Sequence, residues 1–268
     1  SFTGDDLLYT GIEAGNYSGV LASMDAASDV GEGLKVTSMF YAFPLGDFEI
    51  TFGPLLDQDD VIAATPSVYS DAFRHGSMPF SVAGDETGPG AAVSWSNKDG
   101  LVASFSLVSV DGTDSTLGIN GDGVDVTTFT AGWNGDEFGG GLVVTSNDGG
   151  GTTTGYDTFG GGVYWTPEAW PTTVSITYDT KDPETGEDSQ DWFLGVEYEG
   201  VGPGLLGWGY HSTDVDGGDA SDEVGYELTY TYPVNDNISI TPGFFYVEET
   251  TAGKEDDTAF FVETVFSF

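Results

Sequence analysis

Residues 57–60 read DQDD, and the only arginine of the chain follows at position 74. The segment gathers Asp57, Asp59, Asp60, Asp71, Arg74 and His75. Carboxylates beside one guanidinium can attract cations, pin a loop through an ion pair, or set a field across an opening. For Arg74 both the field and the pinning ion pair stand open. Catalysis is a poor match. The only histidines are His75 and His211, no G-x-S-x-G stretch exists, and the chain has no cysteine. We therefore expect no enzyme, no metal centre and no cofactor. DVDGGD at 214–219 and NGDGVD at 120–125 look like fragments of calcium loops. They lack the later bidentate Glu and the flanking helices, so weak divalent-cation binding by acidic loops is the most they imply.

Charge narrows the partners. Five Lys and Arg stand against 45 Asp and Glu, a formal net charge of −40 over 268 residues. Nucleic acid is excluded, because phosphate binding needs clustered basic side chains. Aromatic residues make up 14% of the chain and recur in short runs, which argues against disorder. No apolar run reaches the roughly 18 residues of a membrane helix. The chain begins at Ser1 without a signal peptide, which reads as a mature product.

The elements that must carry these residues are strands. Val174, Ile176 and Tyr178 alternate with Thr173, Ser175 and Thr177; Trp192, Leu194, Val196 and Tyr198 alternate with Asp191, Gly195, Glu197 and Glu199. Such runs have one apolar and one polar face. About fourteen can be placed, with sixteen possible, most near the ten residues of a tilted membrane-spanning strand. They are expected at 5–15, 34–43, 47–53, 89–97, 101–110, 124–133, 137–146, 155–165, 172–180, 190–199, 204–213, 223–232, 237–248 and 257–268. Short connections such as PLG at 44–46, KDG at 98–100 and NGD at 134–136 alternate with long ones along the whole chain. That rhythm predicts an all-β fold, a transmembrane antiparallel up-and-down barrel forming a single domain over 1–268. Trp95, Trp133, Trp165, Trp170, Tyr230 and Tyr232 sit beside the short turns, as an interfacial aromatic belt would.

The longest connection, 54–88, is rich in apolar residues and is not low-complexity, so it should pack against something. We expect it to fold into the lumen and narrow it, carrying the acidic cluster with it. Facing it, the polar strand sets offer Glu13, Glu49, Asp179, Glu197, Glu199, Glu227 and Glu263 as wall carboxylates. One sign of charge on low-dielectric walls concentrates counter-ions, so the lumen should prefer cations or neutral solutes. The chain ends AFFVETVFSF. Phe260, Val262, Phe266 and Phe268 form an alternating, aromatic-terminated set like a barrel-assembly signal, and this strand is expected to pair with the first.

Several stretches resemble the major cyanobacterial outer-membrane porins, a family related to carbohydrate-selective porins in which some members are described as iron-uptake porins. They are PLLDQDDVIAATPSVYSDAFRHGSMPF at 54–80, SFTGDDLLYTGIEAGNYSG at the start, and FYAFPLGDFEITFGPLLDQDD. The resemblance implies a passive channel, usually a homotrimer, in the outer membrane of a Gram-negative-type bacterium, a cyanobacterium. An outer-membrane barrel meets lipid, and its acidic outer loops are expected to meet lipopolysaccharide through bridging divalent cations. The resemblance further implies an N-terminal periplasmic domain, upstream of this chain, that grips the cell wall. Inorganic ions and small hydrophilic solutes are the expected cargo, with sugars and iron open. Two other readings compete: a non-channel structural barrel or adhesin with a plugged lumen, and a secreted acidic β-sandwich binding module.

Overall fold

A computed structural model describes residues 4–16, 30–70, 86–118, 121–151, 153–216, 222–249 and 256–268. Alternation of apolar and polar residues produces fourteen strands. They are β1 (Leu7–Gly15), β2 (Gly31–Leu45), β3 (Phe48–Asp57), β4 (Thr87–Ser96), β5 (Leu101–Ser109), β6 (Asp125–Trp133) and β7 (Phe138–Asn147), followed by β8 (Tyr156–Trp165), β9 (Thr172–Pro183), β10 (Ser189–Val201), β11 (Gly204–Val215), β12 (Glu223–Asn235), β13 (Ile238–Glu249) and β14 (Asp257–Phe266). Among the described residues there is no α-helix, only a 3-10 turn at Asp59–Val61.

Each strand pairs antiparallel with the next, giving one sheet in the order β1 to β14. This is the expected up-and-down architecture. Tight turns follow the even strands. Gly46, at φ +67, turns β2 into β3, and Gly202, at φ +61, turns β10 into β11. Both are left-handed positions that cost a side-chain-bearing residue energy. Several strands run further than the sequence suggests: β2 starts at Gly31, β9 reaches Pro183, and β3 continues to Asp57, so the long connection begins at Gln58 rather than at 54 and Asp57 belongs to the strand. β10 continues to Val201, and β12 passes through Pro233 by a register shift between Pro233 and Asn235. A bulge absorbs the missing Pro N–H. The expected pairing of last and first strands is not seen: no ladder joins β14 to β1 among the described residues.

The two faces of the sheet differ in chemistry. On one lie Phe105, Phe129, Leu142, Phe159, Ile176 and Leu228, each about half exposed. Large apolar side chains left in water each forgo about 1.5–3 kcal/mol of burial. A whole face of them fits lipid rather than solvent. Aromatic residues edge it: Trp165 stacks edgewise on Trp170, and Tyr178 leans on Trp192. On the other face Ser104, Ser106, Thr128, Thr130, Thr145 and Thr177 are buried. This polar face also carries the segment after β3, and is the inner one. A small apolar cluster of Phe40, Leu56, Ala92 and Val108 lies there at the root of that segment, with Val61 packed on it.

Candidate functional site: a stitched inner loop

The segment following β3 runs along the inner wall and is tied to one strand after another. Gln58 Nε2 donates to Val126 O on β6 at 3.2 Å. Ala63 N donates to Ser104 Oγ on β5 at 3.0 Å, and Ser104 is in turn hydrogen-bonded to Thr130 on β6. Asn134, in the β6–β7 turn, makes a two-point clamp. Its Oδ1 accepts from Thr65 N and its Nδ2 donates to Ala63 O, both at 3.0 Å. Further on, Val68 N donates to Ser175 Oγ on β9 at 3.2 Å, and Ser70 N to Glu197 Oε1 on β10 at 3.1 Å. Most of these bonds place a wall side chain on a loop backbone group. That meets the requirement that buried backbone be paired without a sheet ladder.

Glycines in the wall make room for this track. A methyl group built on Gly141 would sit 2.6 Å from Ala64 Cβ, and one on Gly162 would sit 2.5 Å from Pro66 O. A Cβ on Gly195 would collide with the Tyr69 ring. Tyr69 fills that notch and meets Phe193 edge-on, ring centroids 5.0 Å apart. Burial above all, then the Glu227 carboxylate, push the Tyr69 phenol up, so it stays protonated.

The acidic cluster divides. Asp59 and Asp60 occupy the first turn of the 3-10 segment and are exposed to the lumen, while Asp57 is half-buried at the loop root. Ser38 Oγ donates to Asp60 Oδ2 at 3.2 Å. Partial burial of the carboxyl against the wall, then the neighbouring Asp59 charge, raise Asp60 above its ordinary value, partly offset by that hydroxyl. Asp71, Arg74 and His75 lie outside the described residues. Of the expected wall carboxylates, Glu49 is exposed on the inner face of β3, and Glu13 accepts a hydrogen bond from Thr37 Oγ1 at 2.8 Å. Glu197 and Glu227 are buried where the loop passes. Asp179 is buried directly opposite Asp191 in the β9–β10 register, Glu263 is half-buried opposite Thr241, and Glu199 is exposed. Phe260, Val262, Phe266 and Phe268 are exposed on β14 and the residues that follow it. Among the described residues no group of three or more His, Cys, Asp or Glu is placed to hold a metal ion.

The Gram-negative porin family profile matches residues 72–266. The chain belongs to the Gram-negative porin family. No curated protein matches it in sequence. Solved structures similar to this porin include the anion-selective porin of Comamonas acidovorans. That match has 12% identity and a TM-score of 0.65, covering 88% of this chain and 79% of that one. OmpT of Vibrio cholerae is similar at 13% identity and a TM-score of 0.58, covering 86% and 80%. OprB of Pseudomonas putida is similar at 12% identity and a TM-score of 0.59, covering 87% and 72%.

Two parts of the porin's inner architecture are not evident in its sequence. Asn134 reads there as an ordinary turn residue, and Ser104 and Ser175 read as polar positions in alternating strands. What could have singled them out is the glycine spacing. Gly132, Gly141, Gly162 and Gly195 fall on the inner sets of β6, β7, β8 and β10, where small residues signal close backbone approach.

Proposed function

We propose that this porin is a passive diffusion channel of the outer membrane for inorganic ions and small hydrophilic solutes, with a preference for cations. The observation that carries this reading is the course of the loop. It hugs the inner wall of β5 to β10 and turns Asp59 and Asp60 toward the lumen, with Glu49 on the wall of β3. Its described part, to Ser70, lies along the wall rather than across the lumen, which favours a channel over a plugged barrel. Fold alone does not set the sign of selectivity, since the similar Comamonas acidovorans protein is anion-selective. Here the sign follows from the acidic surface and a net charge of −40.

The same reading takes the seam between β1 and β14 as the line along which the barrel closes, since unpaired backbone is costly in lipid. It takes the terminal set ending at Phe268 as the assembly signal. It assigns a homotrimer, acidic outer loops that meet lipopolysaccharide and weakly bind divalent cations, and, as the resemblance to cyanobacterial outer-membrane porins implies, a cyanobacterial host and an upstream cell-wall-binding domain. Planar-bilayer recording in a KCl gradient tests the channel. Stepwise conductance with a reversal potential of cation sign is expected. Anion selectivity would overturn the preference, and a silent, correctly inserted barrel would overturn the channel itself.

A further inference from the structure

Between the 3-10 turn and the inner wall of β3 to β6 lies a half-enclosed cavity of about 290 Å³. It is lined by two different chemistries. Glu49 and Asp60 supply carboxylates, Thr51, Ser94, Ser96 and Asn134 supply neutral polar groups, and Val61, Ala92 and Val102 supply an apolar floor. Thr51, Ala92 and Val102 are themselves buried, so the floor is a fixed part of the packed wall. Val61 rests on the cluster of Phe40, Leu56, Ala92 and Val108, which holds the turn, and Asp60 with it, in place.

A bare metal ion would use only half of such a lining. A neutral sugar would leave the carboxylates without a charge partner. We infer that the cavity is a subsite for small organic cations, of the alkylammonium class, with the ammonium at Glu49 and Asp60 and the methylene chain on Val61, Ala92 and Val102. This rests on the cation-preferring channel proposed above and goes beyond it, because it names a solute that the channel should retain rather than merely pass. The distinguishing signature is a dependence on chain length at constant charge. Each methylene fully removed from water gains about fourfold in affinity. Three methylenes half-removed therefore give about eightfold between n-butylammonium and methylammonium.

The test uses the purified porin in planar bilayers carrying a potassium current, with the reversal potential recorded on the same channels. Methylammonium, n-butylammonium and glucose are added in turn. We expect n-butylammonium to reduce the current at about one-eighth the concentration of methylammonium, with glucose much weaker than either. Glu49→Gln and Asp60→Asn should each weaken the block about two- to fivefold, as for solvent-accessible charge pairs. Val102→Thr, close to isosteric, should narrow the difference between the two amines, since Val61 and Ala92 remain. Channel steps from every variant show that it has folded and inserted. Equal block by the two amines under a cation-biased reversal potential would overturn the subsite and leave the cation preference standing. An anion-biased reversal potential would overturn both. Block by glucose as strong as by n-butylammonium, or block unchanged in both carboxylate variants, would also overturn the subsite.

Discussion

Replacing Asn134 with alanine removes both hydrogen bonds of the clamp at once, those at Thr65 N and Ala63 O, each 3.0 Å long. A hydrogen bond of this kind contributes about 0.5–1.5 kcal/mol net, so losing two costs the seated loop about 1–3 kcal/mol. Local opening should then become about 5- to 150-fold more frequent. The Thr65 amide reports this directly, because in the wild type its proton is held by Asn134 Oδ1. Amide hydrogen exchange of the micelle-bound porin should show Thr65 accelerating by that factor. The ladder amides of Ser104 and Thr130 should not change, since β5 and β6 remain paired. Asn134→Asp keeps the acceptor for Thr65 N but sets a carboxylate oxygen against Ala63 O in place of the donor, so it should open the loop by at least the roughly 2- to 12-fold that one lost bond costs. Exchange at Thr65 unchanged within about twofold in Asn134→Ala would refute the clamp.

Other consequences can be measured separately. Gly141→Ala places a methyl 2.6 Å from Ala64 Cβ, about 1 Å inside ordinary carbon contact; it should push the loop lumenward, lower single-channel conductance and cost about 1–3 kcal/mol. The Asp60 carboxyl is raised by burial and by Asp59, so it loses its charge as pH falls at a higher pH than a free aspartate does. The permeability ratio for cations should therefore begin to drop at a higher pH than an unperturbed aspartate would give, and Asp60→Asn should remove that early part of the profile, read from reversal potentials across pH. Leu142 lies half-exposed on the outer face at mid-length of β7, so Leu142→Arg should lower stability in vesicles by about 2–4 kcal/mol, measured by urea titration.

The strands were legible because this fold writes its two environments into every second residue. Trp192, Leu194, Val196 and Tyr198 must suit lipid, while Asp191, Gly195 and Glu197 face the lumen, so β10 could be placed from alternation alone. Its overrun to Val201 was not legible, because only the tight turn at Gly202 sets where the ladder stops. Alternation likewise assigned Glu197 and Glu227 to the inner face. It carried no sign that the loop would cover them, because that depends on contacts such as Ser70 to Glu197, 127 positions apart. Asn134 escaped for the same reason. Its turn chemistry is local, but its clamp reaches a segment 69 positions earlier. The inward course of 58–70 was legible in outline, since Val61, Val68 and Tyr69 are too apolar for a solvent-exposed connection, although the sequence started that connection at 54, inside β3.

The stitched loop also dictates an order of events. It is made early, between β3 and β4, yet its anchors belong to strands made later: Ser175 lies 107 positions beyond Val68, and Glu197 127 beyond Ser70. Closing contacts across such distances must wait until the intervening chain has arrived and paired. The aperture is thus wide before it is narrow. The constriction is therefore fastened only after the strands that anchor it have paired, like a seam sewn after the cloth is woven. A barrel halted before β10 would lack the anchor for Ser70, so premature truncation should yield the leakiest form of the protein.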